Sequence, residues 1–165
     1  MDKIIIARVQ EKYIESYWEI FEIVASERKY LGIVNGFPLD ETKKFIQDSI
    51  TNNQPHFFVI NENDEVVGWC DIMPLDSGTL PLTGYLGMGL LKAYRGRGIG
   101  QQLLDTTIQA AIEKGFKKVV LEVRASNTRA IHLYKKSGFL EEKRVKNGLS
   151  IDEVNEDVIQ MVKIL

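Results

Sequence analysis

Arg95-Gly96-Arg97-Gly98-Ile99-Gly100 lies between an apolar stretch at 85–91 and a run with Ile99, Leu103, Leu104, Ile108, Ala111 and Ile112 at helical spacing to about Lys114. Glycines let a backbone turn tightly and let a ligand approach it closely. The first turn of the following helix has free N–H groups and the positive end of the helix dipole. The junction therefore reads as an anion site, whose usual occupant is a phosphate or pyrophosphate. Arg95 and Arg97 add charge and paired donors.

Three glycine loops compete for this stretch. A Walker loop ends in Gly-Lys-Ser/Thr, but Gly100 is followed by Gln101-Gln102, so the phosphate lysine and the magnesium hydroxyl are missing. A dinucleotide fingerprint needs Gly-x-Gly-x-x-Gly, and the spacing from Gly96 is Gly-x-Gly-x-Gly. The third pattern, Arg/Gln-x-x-Gly-x-Gly/Ala, is met by Arg95, Gly98 and Gly100. Alone it also describes a plain tight connection, so the flanks must decide.

Upstream, Ile4-Ile5-Ile6-Ala7-Arg8-Val9 reads as a strand, and 11–30 as a helix with Ile14, Tyr17, Trp18, Phe21, Val24 and Ala25 on one face. Gly32 and Gly36-Phe37-Pro38 break it, and Asp40 is expected to cap a second helix over about 40–52. Phe57-Phe58-Val59-Ile60, a turn at 61–65 and Val66-Val67-Gly68-Trp69-Cys70-Asp71-Ile72 form a hairpin. A loop of about ten residues with Pro74, Gly78 and Pro81 leads to the strand at 85–91.

Downstream, Gly115 ends the long helix as a C′ glycine, and 118–124 is a strand with Val119, Leu121 and Val123 on one face. Asn127 opens a short helix closed by Gly138, and a final antiparallel pair is expected to turn at Asn147-Gly148. The order β-α-α-β-β-β-α-β-α-β-β predicts an α/β fold with a mixed sheet and no linker.

The length of 165 residues suits one domain over 1–165. A net charge of −2 disfavours a nucleic-acid partner. One cysteine, Cys70, excludes an internal disulfide framework, and two histidines, His56 and His132, do not supply a zinc cluster. No apolar run is long enough to span a membrane. Met1-Asp2-Lys3-Ile4-Ile5-Ile6 turns polar too soon for a signal peptide, so a cytoplasmic setting is expected. The charge is divided: residues 1–80 carry 7 basic against 14 acidic side chains, a net of −7, and residues 81–165 carry 14 against 9, a net of +5. The halves should meet partners of opposite sign.

Leu121-Glu122-Val123-Arg124-Ala125-Ser126-Asn127-Thr128-Arg129-Ala130-Ile131-His132-Leu133-Tyr134-Lys135-Lys136-Ser137-Gly138-Phe139 resembles the second signature of the GNAT superfamily of acetyl-CoA-dependent N-acetyltransferases. It follows the Arg95-x-x-Gly98-x-Gly100 pattern in the family's order. The resemblance extends upstream through Gly84-Tyr85-Leu86-Gly87-Met88-Gly89-Leu90-Leu91 and Val67-Gly68-Trp69. In element order it covers essentially the whole chain. It implies a mixed, mostly antiparallel sheet flanked by helices, with splayed central strands, and an enzyme moving an acetyl group from acetyl-CoA to an amine, without metal.

Carried onto this chain, the resemblance implies that Gly89, Leu90 and Leu91 pair their backbone with the pantetheine arm. The N–H groups of Arg95, Gly96, Arg97, Gly98, Ile99 and Gly100 would receive the pyrophosphate. Asn127 would bond the arm, although it is equally a good N-cap. Ala130 would present a small face to the ligand, and Tyr134 would act as general acid toward the leaving thiolate, its alternative being a core aromatic. Many relatives carry a glutamate on the strand before the loop, where this chain has Tyr85. Glu27 and Tyr85 are therefore expected on the acceptor side, with Glu27, Asp71 and Glu122 as candidates for the general base.

The helical region with Trp18, Tyr30 and Phe37 would wall the acceptor pocket. His56 and His132 read as surface or satisfied histidines, and Cys70 as a small core residue. The acidic half suits a small cationic amine, and Arg95, Arg97, Arg124 and Arg129 in the basic half suit the polyanionic coenzyme. A protein N-terminus or lysine as acceptor, or a non-catalytic acetyl-CoA-binding module, are the alternatives. A homodimer is also among the family's habits.

Overall fold

A computed structural model describes residues 2–75 and 82–165. Its strands are β1 (Ile4–Arg8), β2 (His56–Asn61), β3 (Val66–Pro74), β4 (Thr83–Leu90), β5 (Lys118–Arg124), β6 (Leu140–Ile151) and β7 (Val154–Ile164). Its helices are α1 (Ile14–Ser26), α2 (Leu39–Thr51), α3 (Ile99–Lys114) and α4 (Thr128–Lys136). The strands form one sheet in the order β1-β2-β3-β4-β5-β7-β6, antiparallel throughout except for the parallel pair β4–β5.

Both faces of the middle strands are buried, as the apolar runs of β2 and β3 require. Side chains alternate. Phe58, Ile60 and Trp69 pack with Tyr13, Ile14, Tyr17, Ile20, Val24 and Ile46 under α1 and α2. Phe57, Val59, Cys70, Ile72 and Leu86 pack with Leu103, Leu104, Ala111 and Phe116 of α3 and its C-terminal end. Gly115, at φ 101°, gives the left-handed stop that ends α3.

β4 and β5 run together only where Thr83, Gly84 and Tyr85 face Lys118, Val119 and Val120. Beyond Tyr85 β5 has left β4 and pairs with β7 along its whole length. β4 stays bound to β3 to its end, with the Leu91 N–H on Val67 O at 2.9 Å. Main-chain groups alternate in direction along a strand, so those of Met88 and Leu90 point to the side that β5 has vacated.

Local expectations fail in two places. Asp40 does not cap α2: Pro38 holds that position with no side-chain cap bond, and Asp40 lies in the first turn, where its charge favours the helix dipole. The last hairpin does not turn at Asn147-Gly148. Asp152 and Glu153, at φ 53° and 64°, make the two-residue left-handed turn. Asn147, also left-handed at φ 52°, sits in an irregularity of β6, its N–H on the Asp157 carboxylate at 3.0 Å. Of the expected ten-residue loop, Pro74 closes β3, while Gly78 and Pro81 lie outside the described residues.

Candidate active site

The opening between β4 and β5 continues as a groove to the start of α3. Its cavity of about 300 Å³ is bounded by Met88, Gly89 and Leu90 on one side and Asn127, Ala130 and Leu133 on the other. Gly96 and Gly98 adopt φ 71° and 79°, which favours glycine, and a Cβ at either would meet nothing within 4 Å. The loop surface is therefore open to a ligand. The first N–H bonded into α3 is that of Gln102, on Gly98 O, which leaves the N–H groups of Ile99, Gly100 and Gln101 without a hydrogen bond among the described residues.

The structure sorts the expected coenzyme residues by where they lie. Leu90, Gly96, Gly98, Gly100, Asn127 and Ala130 line the groove. Leu91 does not: Val67 takes its N–H and its side chain packs between the two cores. Ile99 is buried in the α3 core, so only its backbone faces the groove end. The Asn127 Oδ1 accepts from the Ala130 N–H at 3.2 Å, which makes it an N-cap and leaves its amide NH₂ for other partners.

The arginines largely depart from expectation. Arg95 lines the groove but turns its guanidinium onto Glu27, its Nε onto Leu90 O and its plane over the Tyr30 ring. Arg97 reaches Asp2 and Ala93 O, and Arg124 is held by Glu156 and Arg28 O. Of the four arginines expected around the coenzyme, Arg129 alone lines the groove without an ion pair among the described residues. His132 and Lys136 join it there, one and two turns further along α4. Sequence reading missed both.

A second cavity of about 530 Å³ lies against the α1–α2 face and shares Tyr30, Met88 and Asn127 with the groove. Tyr17, Phe21, Phe37, Phe45, Trp69 and Tyr85 make much of its wall, and Asp71, Glu122, Glu41, Tyr30 and Tyr134 are further ionisable members among the described residues. Asp71 faces Gly87 across the β3–β4 ladder, and a Cβ at Gly87 would stand 3.8 Å from both carboxylate oxygens. Burial pushes the Asp71 carboxyl up to about 7. Tyr134 is buried with its ring tilted against Phe139, and its hydroxyl has no hydrogen bond among the described residues. Burial raises its pKa well above the ordinary tyrosine value.

The three base candidates separate. Asp71 and Glu122 line the larger cavity. Glu27 does not, and its carboxyl is held below the usual glutamate range by the hydrogen bonds from Arg95. Tyr85 lines the cavity, its pKa raised by burial and then by Glu122 and Asp71. His56 is not a surface histidine: it is fully buried, its Nδ1 meets Ser49 Oγ at 3.0 Å, and its Nε2 has no partner among the described residues. Burial pushes it down to about 3, so it stays neutral. No cluster of possible metal ligands occurs among the described residues, and no described helix is long and apolar enough to cross a membrane.

A family model described as the GNAT acetyltransferase family matches residues 12–139. A putative ribosomal protein bS18-alanine N-acetyltransferase of Bacillus subtilis is 28% identical over 134 residues, 80% of each chain. The N-alpha-acetyltransferase MAK3 of Arabidopsis thaliana is 43% identical over 63 residues, 38% of this chain and 33% of that protein, so this chain spans about a third of it. A putative acetyltransferase from Salmonella typhimurium, solved with its cofactor acetyl-CoA, superposes with a TM-score of 0.90 at 18% identity, over 99% of this chain and 94% of that one.

Proposed function

The chain belongs to the GNAT acetyltransferase family and is an acetyl-CoA-dependent N-acetyltransferase; from that premise we propose that, as one domain over 1–165, it acetylates a small cationic amine held beside Asp71. The observation that carries this reading is the Asp71 carboxyl, poised near neutrality in a cavity that joins the groove at Tyr30, Met88 and Asn127.

The groove fits acetyl-CoA. The unbonded N–H groups at the start of α3, with Arg129 and Lys136 nearby, suit a pyrophosphate. The open surface at Gly96 and Gly98 lets it approach, and the main-chain groups of Met88 and Leu90 suit the amide-bearing arm. When bound, acetyl-CoA supplies a thioester carbonyl that a neutral amine attacks, with release of the thiol.

An ammonium entering the cavity meets Asp71 and Glu122, one carboxylate from each half of the divided chain. An ammonium does not attack a carbonyl, so a proton must leave it first, and the Asp71 carboxylate takes that proton. A base with a pKa near 7 is well matched to operation near pH 7. The Tyr134 Oη carries a proton on the wall of the larger cavity, and in this reading that proton passes to the departing sulfur. Its raised pKa makes donation harder than for free tyrosine, but the same burial raises thiols, as it does Cys70. Glu27, committed to Arg95, does not serve as the base in this reading.

Thiol release measured across a panel of amines, for wild type, Asp71→Asn and Tyr134→Phe, tests the proposal. Coenzyme A binding without turnover on any amine supports a non-catalytic module instead. The names of the Bacillus and Arabidopsis relatives favour a second reading, a protein N-terminus as acceptor, which peptides in the same panel would reveal.

A further inference from the structure

The larger cavity has a chemical bias that narrows its acceptor. We propose that the amine acetylated here is an arylalkylamine, a primary amine on an apolar aromatic body. This rests on the acetyl-transfer reading above and names the substrate class of the same site.

The first observation is the wall. Trp69 is 2% exposed and forms a fixed floor, with Phe21 at 5.1 Å from it between ring centroids and Phe37 at 5.6 Å from Phe21. Aromatic surface thus runs from β3 outward to the segment before α2. Phe37, Phe45 and Ile33 line the cavity yet remain 49%, 38% and 37% exposed, so apolar area is left open where an apolar ligand would cover it.

This wall is built, not collapsed. The Trp18 Nε1–H donates to Phe37 O at 2.8 Å, and the Glu22 carboxylate accepts the Gly36 N–H. Both contacts pin residues 36–37 to α1, so the aromatic face is formed before a ligand arrives.

The second observation is charge. Among the described residues the ionisable groups on the wall are Asp71, Glu122, Glu41 and the tyrosines 17, 30, 85 and 134, and no described lysine, arginine or histidine lines it. A substrate carboxylate would face Asp71 and Glu122 with no cation to answer it, which disfavours amino acids as acceptors. A polyamine could place one ammonium at Asp71, but its next would be desolvated among Phe21, Phe37 and Ile33. Glu122 on β5 and Glu41 on the exposed first turn of α2 are the remaining carboxylates for it. An aromatic body instead stacks on this wall and needs no second partner.

Steady-state thiol release from the purified chain with acetyl-CoA, using phenethylamine, tryptamine, propylamine, spermidine, phenylalanine and a phenylalanine-initiated peptide, tests the proposal. The expected result is a kcat/KM for phenethylamine or tryptamine on the order of tenfold or more above propylamine and spermidine, with phenylalanine far below them. Phe37→Ala and Phe45→Ala should each shrink the phenethylamine-to-propylamine ratio several-fold, about what loss of part of an apolar pocket costs, mainly through KM. Preference for spermidine, for the peptide or for propylamine overturns the aromatic assignment while leaving acetyl transfer intact. Coenzyme A binding with no turnover on any amine overturns the transferase reading and this assignment with it.

Discussion

Glu27 closes both carboxylate oxygens on the guanidinium of Arg95, at 2.6 and 2.8 Å, while the same guanidinium lies 4.6 Å from the centre of the Tyr30 ring. Arg95 Nε also holds Leu90 O at 2.9 Å. The end of α1 is thereby tied to the end of β4, where the two cavities meet. A residue expected at the pyrophosphate and one of the three candidates for the base neutralise each other in this pair, and their common task is to hold the junction.

Glu27→Gln should therefore cost stability, about 1–3 kcal/mol at pH 7, since it leaves a largely buried guanidinium without its counter-charge. The native carboxyl titrates below its ordinary range, so the pair's contribution is present above the ordinary glutamate pKa near 4.3 and is lost as pH falls through the lower folded value. Urea unfolding at pH 7 and at stepwise lower pH checks this. The difference between variant and wild type should shrink in acid.

Asp71→Asn should lower kcat by about a hundred- to ten-thousand-fold. Wild-type kcat should rise with pH to a plateau with a midpoint of about 7, a limb that the variant lacks and Glu27→Gln keeps. Two amines of different basicity separate this limb from titration of the acceptor.

The same carboxyl has a stability signature of opposite sign to that of Glu27. Its folded pKa is raised, so the wild type should lose stability as pH rises from the ordinary aspartate value near 3.9 through about 7. Asp71→Asn should flatten that dependence and match or exceed the wild type in melting temperature at pH 8. A variant less stable than wild type at pH 8 would sink the assignment of Asp71 as a half-buried acid destabilised by desolvation.

Tyr134→Phe keeps the ring that packs against Phe139 and removes only the hydroxyl. Coenzyme A affinity should be preserved while kcat falls by about a hundredfold. Equal loss of binding and turnover would mean that the hydroxyl only supports the fold.

Gly98→Ala forces a side chain into φ 79°, a strain of roughly 1–2 kcal/mol at the start of α3. Gly98→Asp adds a carboxylate against the pyrophosphate site. Calorimetric titration should show coenzyme A affinity reduced on the order of tenfold or more for aspartate and by less for alanine.

What could be read from the sequence was local. The left-handed turns at Gly98 and Gly115, the apolar stripe of α3 and the buried runs of β2 and β3 follow from the residues at those positions and their spacing. The short helix of Tyr134 follows from Asn127, which caps it, and Gly138, which ends it, whereas the place of Tyr134 on a cavity wall was implied only by the family resemblance. The hairpin turn escaped because Asn147-Gly148 has the right local chemistry twice over. A left-handed Asn fits a turn and a strand irregularity alike, and the pairing of β6 with β7 chose the second.

Charge and ionisation were not legible in the sequence. Arg95, Arg97, Arg124 and Arg129 look alike there, and only the folded chain puts Glu27, Asp2 and Glu156 against the first three. Asp71 is one acid in an apolar strand until β4 brings Gly87 beside it and α1 covers the face with Tyr17 and Phe21. Backbone conformation and helical faces are set over a few residues, so the sequence by itself determined the family's frame and the anion loop. Ion pairing and desolvation are set by residues distant along the chain, so only the tertiary structure decided which carboxylate is poised to take a proton and which cations remain for the coenzyme.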